Sequence, residues 1–223
     1  MVLHQSAMNR MTDCIEKYLT KDEHYQVLDF GSFINTGQEM HHRALLANYD
    51  CTITGVDIQD GRNVDLQMAK PYRIPLPKNS QDLVISGQVF EHIPFPWASI
   101  MEIARVLKPN GYLFITAPSR GHHHSTYDLW RYYPDSMRAL AAQADLKLLA
   151  AYTDFPPNVP ESNRHDYAAI NSKGHYWGDT TGVFQKPQWR FSLRRLLIRE
   201  ITVWNANRIG GLDSVPRPKR RRL

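Results

Sequence analysis

Apolar and polar positions along the 223 residues fall into two rhythms. Between Ser6 and Leu19, the apolar residues Met8, Met11, Ile15 and Leu19 recur every three or four positions, the spacing of one helical face. Tyr25–Phe30 is instead a short, mostly apolar run, as in a strand covered on both sides. The alternation continues with a helix over 37–49, a strand over 52–56 closed by Asp57, and a strand over 83–86. A helix over 97–107 places Ile100, Ile103, Ala104 and Leu107 on one side, and the Lys-Pro-Asn-Gly at 108–111 stops it. A strand over 112–117, a helix over 136–144 and strands over 146–152 and 181–185 complete the pattern. Pro71, Pro75 and Pro77 keep the chain before the third strand irregular. Strands alternating with helices at this spacing predict an α/β fold, a mostly parallel, doubly wound sheet with helices on both faces. Ligands bind such sheets at the carboxyl ends of the strands, here segments 31–37, 57–65, 86–92 and 117–131.

Two stretches fall outside the alternation. Residues 155–178, rich in Pro, Asn, His and Tyr, read as a lid or acceptor loop. Residues 189–209 read as a basic amphipathic helix with Phe191, Leu193, Leu196, Leu197, Ile201 and Trp204. Packing on the body or a homodimer contact is expected of it before membrane binding. The chain thus divides into a domain over 1–188, a C-terminal helix over 189–210 and a basic tail over 211–223.

Composition adds bounds. With 42% hydrophobic and 22% charged residues the chain can bury a core. No apolar run approaches the roughly 18 residues that span a bilayer, and the first residues have no signal-peptide core. Cys14 and Cys51 form no Cys-x-x-Cys pair, so a reduced, cytoplasmic setting without structural zinc is expected. The net charge is +5, but Arg217, Lys219, Arg220, Arg221 and Arg222 account for all of it. A body without basic excess argues against nucleic acid. The tail is either a solvated terminus or a contact for an anionic surface or partner.

The strand ends carry the chemistry. Asp29 closes the first strand two residues before Gly31; its carboxylate can accept from the turn's backbone or from a ligand ammonium, and glycine lets the main chain approach a ligand. Asp57 closes the second strand, where an acid can accept from both ribose hydroxyls. Asp65 lies just beyond, placed for an amino-bearing ring. Ser86, Gly87 and Gln88 end the next strand, and Glu91 and His92 follow at a helix start.

In order along residues 25–118, "VLDFGSFINTG", "GVDI", "DLVISGQVFEHI" and "EIARVLKPNGYLFITAP" resemble successive motifs of class I S-adenosylmethionine-dependent methyltransferases. The resemblance implies a Rossmann-like seven-stranded sheet whose last strand, 181–185, runs antiparallel. It implies S-adenosyl-L-methionine as cofactor, with the methionine end at Asp29 and Gly31, the ribose at Asp57 and the adenine near 63–66. The implied cofactor set is Asp29, Gly31, Ser32, Phe33, Asp57, Ile58, Asp65, Leu66, Gly87 and Gln88. The commoner family turn is D-x-G-x-G-x-G, whereas this chain has D-F-G-S-F-I-N-T-G. In that turn, in "ISGQVFEHIPFPW" and in "DLWRYYPDSMRAL" it looks like a bacterial subgroup that tailors surface polysaccharides or small molecules.

The segment "SRGHHHSTYDLWRYYPD", 119–135, should overhang the transferred methyl group. Consecutive histidines cannot all point one way in extended chain, so His122–His124 are not expected to bind metal. Methylating a hydroxyl needs a base, and imidazole is suited to it. His123 is the preferred base, then His124; His92 is a rival unless it only holds the helix start. Glu91, Tyr127, Asp128, Trp130 and Arg131 are candidates for the acceptor pocket, although Asp128 and Arg131 could instead pair with each other around a bracing tryptophan. The expected activity is O-methylation of a small molecule or glycan. N-methylation of an amine and a non-catalytic cofactor-binding scaffold on the same fold remain alternatives.

Overall fold

The computed structural model describes residues 5–121, 123, 127–154, 178–188 and 193–210. The expected lid at 155–178 lies, apart from Gly178, outside the described residues, as do His124 and the tail at 211–223.

Helix α1 (Gln5–Tyr18) leads into β1 (Tyr25–Phe30), the short helix α2 (His42–Leu45), β2 (Cys51–Asp57), β3 (Leu66–Gln67) and β4 (Gln81–Gly87). A 3-10 turn at Phe90–His92 precedes α3 (Pro96–Val106), β5 (Leu107–Arg120), α4 (Pro134–Ala144), β6 (Lys147–Thr153), β7 (Gly178–Gln185) and α5 (Leu193–Ile209). The seven strands form one sheet in the order β3-β2-β1-β4-β5-β7-β6. β1 pairs in parallel with β2 and β4, β4 in parallel with β5, and β7 antiparallel with both β5 and β6. This is the expected Rossmann-like doubly wound sheet with an antiparallel last strand.

Strand alternation divides the core between the two faces. Leu28 and Phe30 of β1, Val84 of β4, and Leu113 and Ile115 of β5 pack with Ile100 and Ile103 of α3 and Met137 and Leu140 of α4. Val27, Leu83, Ile85 and Phe114 point the other way, onto Met11, Cys14 and Ile15 of α1. Each such side chain, fully removed from water, contributes roughly 1.5–3 kcal/mol.

Three expectations are corrected. The helix expected over 37–49 is reduced to four residues, His42–Leu45. Gly37 has a left-handed φ of 84°, Gln38 N–H closes a turn onto Asn35 O, and Gln38 Nε2 donates to Met40 O, so the chain stays irregular up to His41. The Lys-Pro-Asn-Gly at 108–111 does not separate helix from strand. β5 begins directly at Leu107, and residues 108–111 form an irregularity in it, since Gln81 pairs Leu107 whereas Leu83 pairs Tyr112. The short β3 carried no readable period. Lastly, α5 rests on the body through Val203 and Ala206, packed with Tyr72, Ala98 and Met101, and through Asn207 Oδ1, which accepts from Tyr72 N–H. Of the apolar residues expected to pack on the body or in a dimer contact, Leu193, Leu197, Ile201 and Trp204 do not meet the body and are exposed.

A buried ion pair ties α3 to the proline-rich segment. Arg105 donates to both Glu102 carboxylate oxygens and to the carbonyls of Ile74 and Leu76. Arg105→Met leaves Glu102 and these carbonyls short of their main donor, and its expected cost is about 3 kcal/mol or more. Urea unfolding checks this, and Glu102→Leu combined with Arg105→Met is expected to lose less than Arg105→Met alone.

Candidate active site

β2, β1 and β4 are adjacent and parallel, so the turns that follow them share one edge of the sheet. After β1, the N–H groups of Gly31 and Ser32 donate to Val56 O, and Ile34 N–H donates to Arg62 O. Gly31 has φ 80°, and a Cβ there would come within 2.4 Å of Val89 Cγ2. Glycine is therefore required both by the turn and by the close approach of the segment after β4.

Under this turn lies a buried polar network. The Asp29 carboxylate accepts from His42 Nδ1–H at 2.8 Å and from Asn63 Nδ2 at 3.4 Å, and Asn63 also donates to Ser32 O. Asp29, Gly31, Ser32, Phe33, Ile34, Gln38, His41, His42, Asn63 and Gly87 together line one cleft. Buried Ser32 Oγ, Gln38 Oε1 and His41 Nδ1 have no hydrogen-bond partner among the described residues. A carboxylate for an ammonium group, beside unsatisfied polar atoms, fits the zwitterionic end of an amino-acid ligand. Gln38, His41 and His42 were not anticipated from the sequence, and Asn63, expected near the adenine, donates to Asp29 and Ser32 O. The histidine pair at 41–42 was visible, but a helical reading scattered it away from Asp29.

Asp57 lies beside the same turn. Its carboxylate accepts from Phe33 N–H at 3.2 Å and from Gln59 N–H at 2.9 Å. Burial raises its pKa above the ordinary carboxylate value, and those backbone donors oppose the rise. Each carboxylate oxygen retains further acceptor capacity for a hydroxyl. Ile58 and Leu66 present apolar surface to solvent next to it. Asp65 is directed elsewhere: it accepts from Gly55 N–H at 2.6 Å and pairs with Arg43.

Beyond β4, Gln88 has φ 58° and donates through Nε2 to Asp179 Oδ1. Glu91 is 0% exposed, and neither carboxyl oxygen has a hydrogen-bond partner among the described residues; His92 Nε2 stands 3.4 Å from Oε1. Desolvation pushes the Glu91 carboxyl up to about 8, with Asp128 and Asp179 adding to the rise. His92 Nδ1–H donates to Tyr127 O. Leu129 N–H donates to Glu91 O and Trp130 Nε1 to Ile93 O, so residues 127–133 are fastened over the 3-10 turn. Asp128 and Arg131 pair with each other through both guanidinium ends, and Trp130 meets Trp97 edge-on. His123 is exposed, three residues past β5. Among the described residues, no group of three or more His, Cys, Asp or Glu could hold a metal ion.

The seven-stranded fold is shared with solved methyltransferase structures. Residues 28–115 match the family described as Methyltransferase domain. An uncharacterized methyltransferase of Schizosaccharomyces pombe is 37% identical over 51 residues, 23% of this chain and 18% of that protein. One of Mycobacteroides abscessus is 37% identical over 70 residues, 29% of this chain and 27% of that protein. The matches therefore span about a quarter or less of these curated relatives. Among solved structures, the [4+2]-cyclase SpnF is similar with TM-score 0.58 and 20% identity, over 82% of this chain and 83% of that one. Phosphoethanolamine N-methyltransferase 2 of Haemonchus contortus, in complex with S-adenosyl-L-methionine, is similar with TM-score 0.55 and 16% identity, over 81% of this chain and 53% of that one.

Glu91 gives a pH test with a definite sign. Its carboxyl ordinarily titrates near 4.5 and here near 8. Across that window the folded chain keeps a proton that the unfolded chain releases, so stability falls as pH rises. Glu91→Gln is expected to gain little at pH 5 and on the order of 3 kcal/mol at pH 8 relative to the parent in urea unfolding. A difference independent of pH contradicts the burial of an unsatisfied carboxyl.

Proposed function

We propose that this chain is a methyltransferase that methylates a hydroxyl of a small molecule or sugar. The observation that carries the proposal is the cleft at the ends of β1, β2 and β4, with its buried Asp29 and unsatisfied polar lining. Asp29 would hold the ammonium end of the cofactor and Asp57 its ribose hydroxyls. When bound, S-adenosylmethionine supplies an electrophilic methyl group. The protein's remaining tasks are to align the acceptor and take its proton.

We assign the proton to an imidazole nitrogen of His123. The rival His92 has Nδ1–H committed to Tyr127 O and Nε2 turned to Glu91, an arrangement that supports a role in positioning. His124 remains the alternative base on the same segment. Tyr127, Asp128, Trp130, Arg131 and Glu91 bound the acceptor side, with Asp128 holding Arg131 in a fixed fork. A cytoplasmic setting and a non-nucleic-acid acceptor accompany the proposal. No helix among the described residues is long and apolar enough to cross a membrane. A second reading, methylation of an amine, is favoured by the carboxyl groups of Glu91, Asp128 and Asp179 near one another.

Calorimetry tests the cofactor sites. The chain is expected to bind S-adenosylmethionine, and Asp57→Ala to weaken it at least tenfold; equal binding by Asp57→Ala overturns the ribose assignment. With an acceptor found by screening, His123→Ala is expected to lower kcat about 100-fold or more while cofactor affinity stays unchanged. Full turnover by His123→Ala between about pH 6 and about pH 9 removes His123 as the base. Mass-spectrometric location of the methyl on oxygen or nitrogen decides between the two readings.

A further inference from the structure

We propose that the outer face of α5 is an interfacial anchor that seats this protein on an anionic lipid bilayer. Leu193, Leu197, Ile201 and Trp204 follow one another at intervals of four, four and three residues, so they form a single helical stripe. They are 63%, 60%, 63% and 61% exposed. Ile198, beside the stripe, is exposed too. The inner face is already used: Val203 and Ala206 are buried against Tyr72, Ala98 and Met101, and Arg195 pairs with Asp145. Among the described residues nothing covers the stripe, and an apolar patch of this kind marks an interaction surface.

Charge identifies the occupant. Residues 189–223 hold ten Lys and Arg against two Asp and Glu, a net +8. The whole chain is +5, so residues 1–188 carry a net −3. All the positive excess accompanies the helix. Arg208 lies on the stripe itself, its guanidinium 5.6 Å from the Trp204 ring centroid. Leu and Ile for the acyl boundary, Trp for the headgroup level and Arg for lipid phosphates are the combination of an in-plane amphipathic helix. A second copy of the chain fits less well, because stripe-to-stripe contact would bring two +8 segments together. This proposal is independent of the methyl acceptor.

Vesicle co-sedimentation of the full chain tests it. The vesicles are phosphatidylcholine alone, or phosphatidylcholine with about one third phosphatidylglycerol. Binding is expected to be at least tenfold tighter to the anionic vesicles and to weaken as salt rises from about 0.05 M to about 0.5 M. Leu197→Ser, Ile201→Ser and Trp204→Ser combined is expected to lose it at least tenfold, with the far-ultraviolet dichroism and urea midpoint of the parent, since these side chains are exposed. Failure of the parent to bind anionic vesicles overturns the proposal, as does undiminished binding by the triple variant. A dimer in light scattering that the triple variant dissolves, with no vesicle binding by the parent, assigns the face to a second copy instead.

Discussion

A carboxylate sits at the end of a central strand, where little water reaches it. Asp29 is 1% exposed, and burial of such a group is costly unless donors surround it. His42 and Asn63 supply those donors. Each comes from a different part of the chain: His42 from beyond the loop after β1, Asn63 from the loop between β2 and β3. Satisfying one carboxylate therefore gathers two connections over the same strand end, and the cleft is the space they enclose. The same requirement limits the helix after β1, because the chain must reach back from Gly37 to bring His42 onto Asp29 before any helix can start.

The turn above the carboxylate is set by sterics as much as by hydrogen bonds. Val89 fills the place where a Gly31 side chain would stand. Absence of a side chain at Gly31 thus lets β1 and β4 close over the sheet edge and leaves the backbone of 31–34 facing the cleft. Such a turn needs only one obligatory glycine, and the departure from a glycine-repeat motif has its physical explanation here. The loop that follows is held by its own contacts: Ile34 to Arg62, Gln38 to Asn35.

Much of this was legible in the sequence. The strand and helix order and the strand-end positions of Asp29, Gly31 and Asp57 follow from runs that period and place make visible; the antiparallel direction of the final strand was implied by the family resemblance alone. The rest depends on distance in space. His42 and Asn63 stand 13 and 34 residues from Asp29, and no local pattern joins them. Asp65 looked like a ligand group by position, yet it turns to Arg43 and to Gly55. The apolar residues of α5 were readable as a stripe, but not which stripe would meet the body: the smaller Val203 and Ala206 allow closer packing on α3, and the bulkier set is left outside.

In the proposed function, the strand-end cleft around Asp29 receives the amino-acid end of S-adenosylmethionine. Amide hydrogen exchange with and without S-adenosylhomocysteine tests it most directly, because it reads each segment separately. Exchange is expected to slow in the segments 29–34, 38–42, 57–59 and 63–65, with 193–210 unchanged. Unchanged exchange in 29–42 at saturating S-adenosylhomocysteine would contradict it.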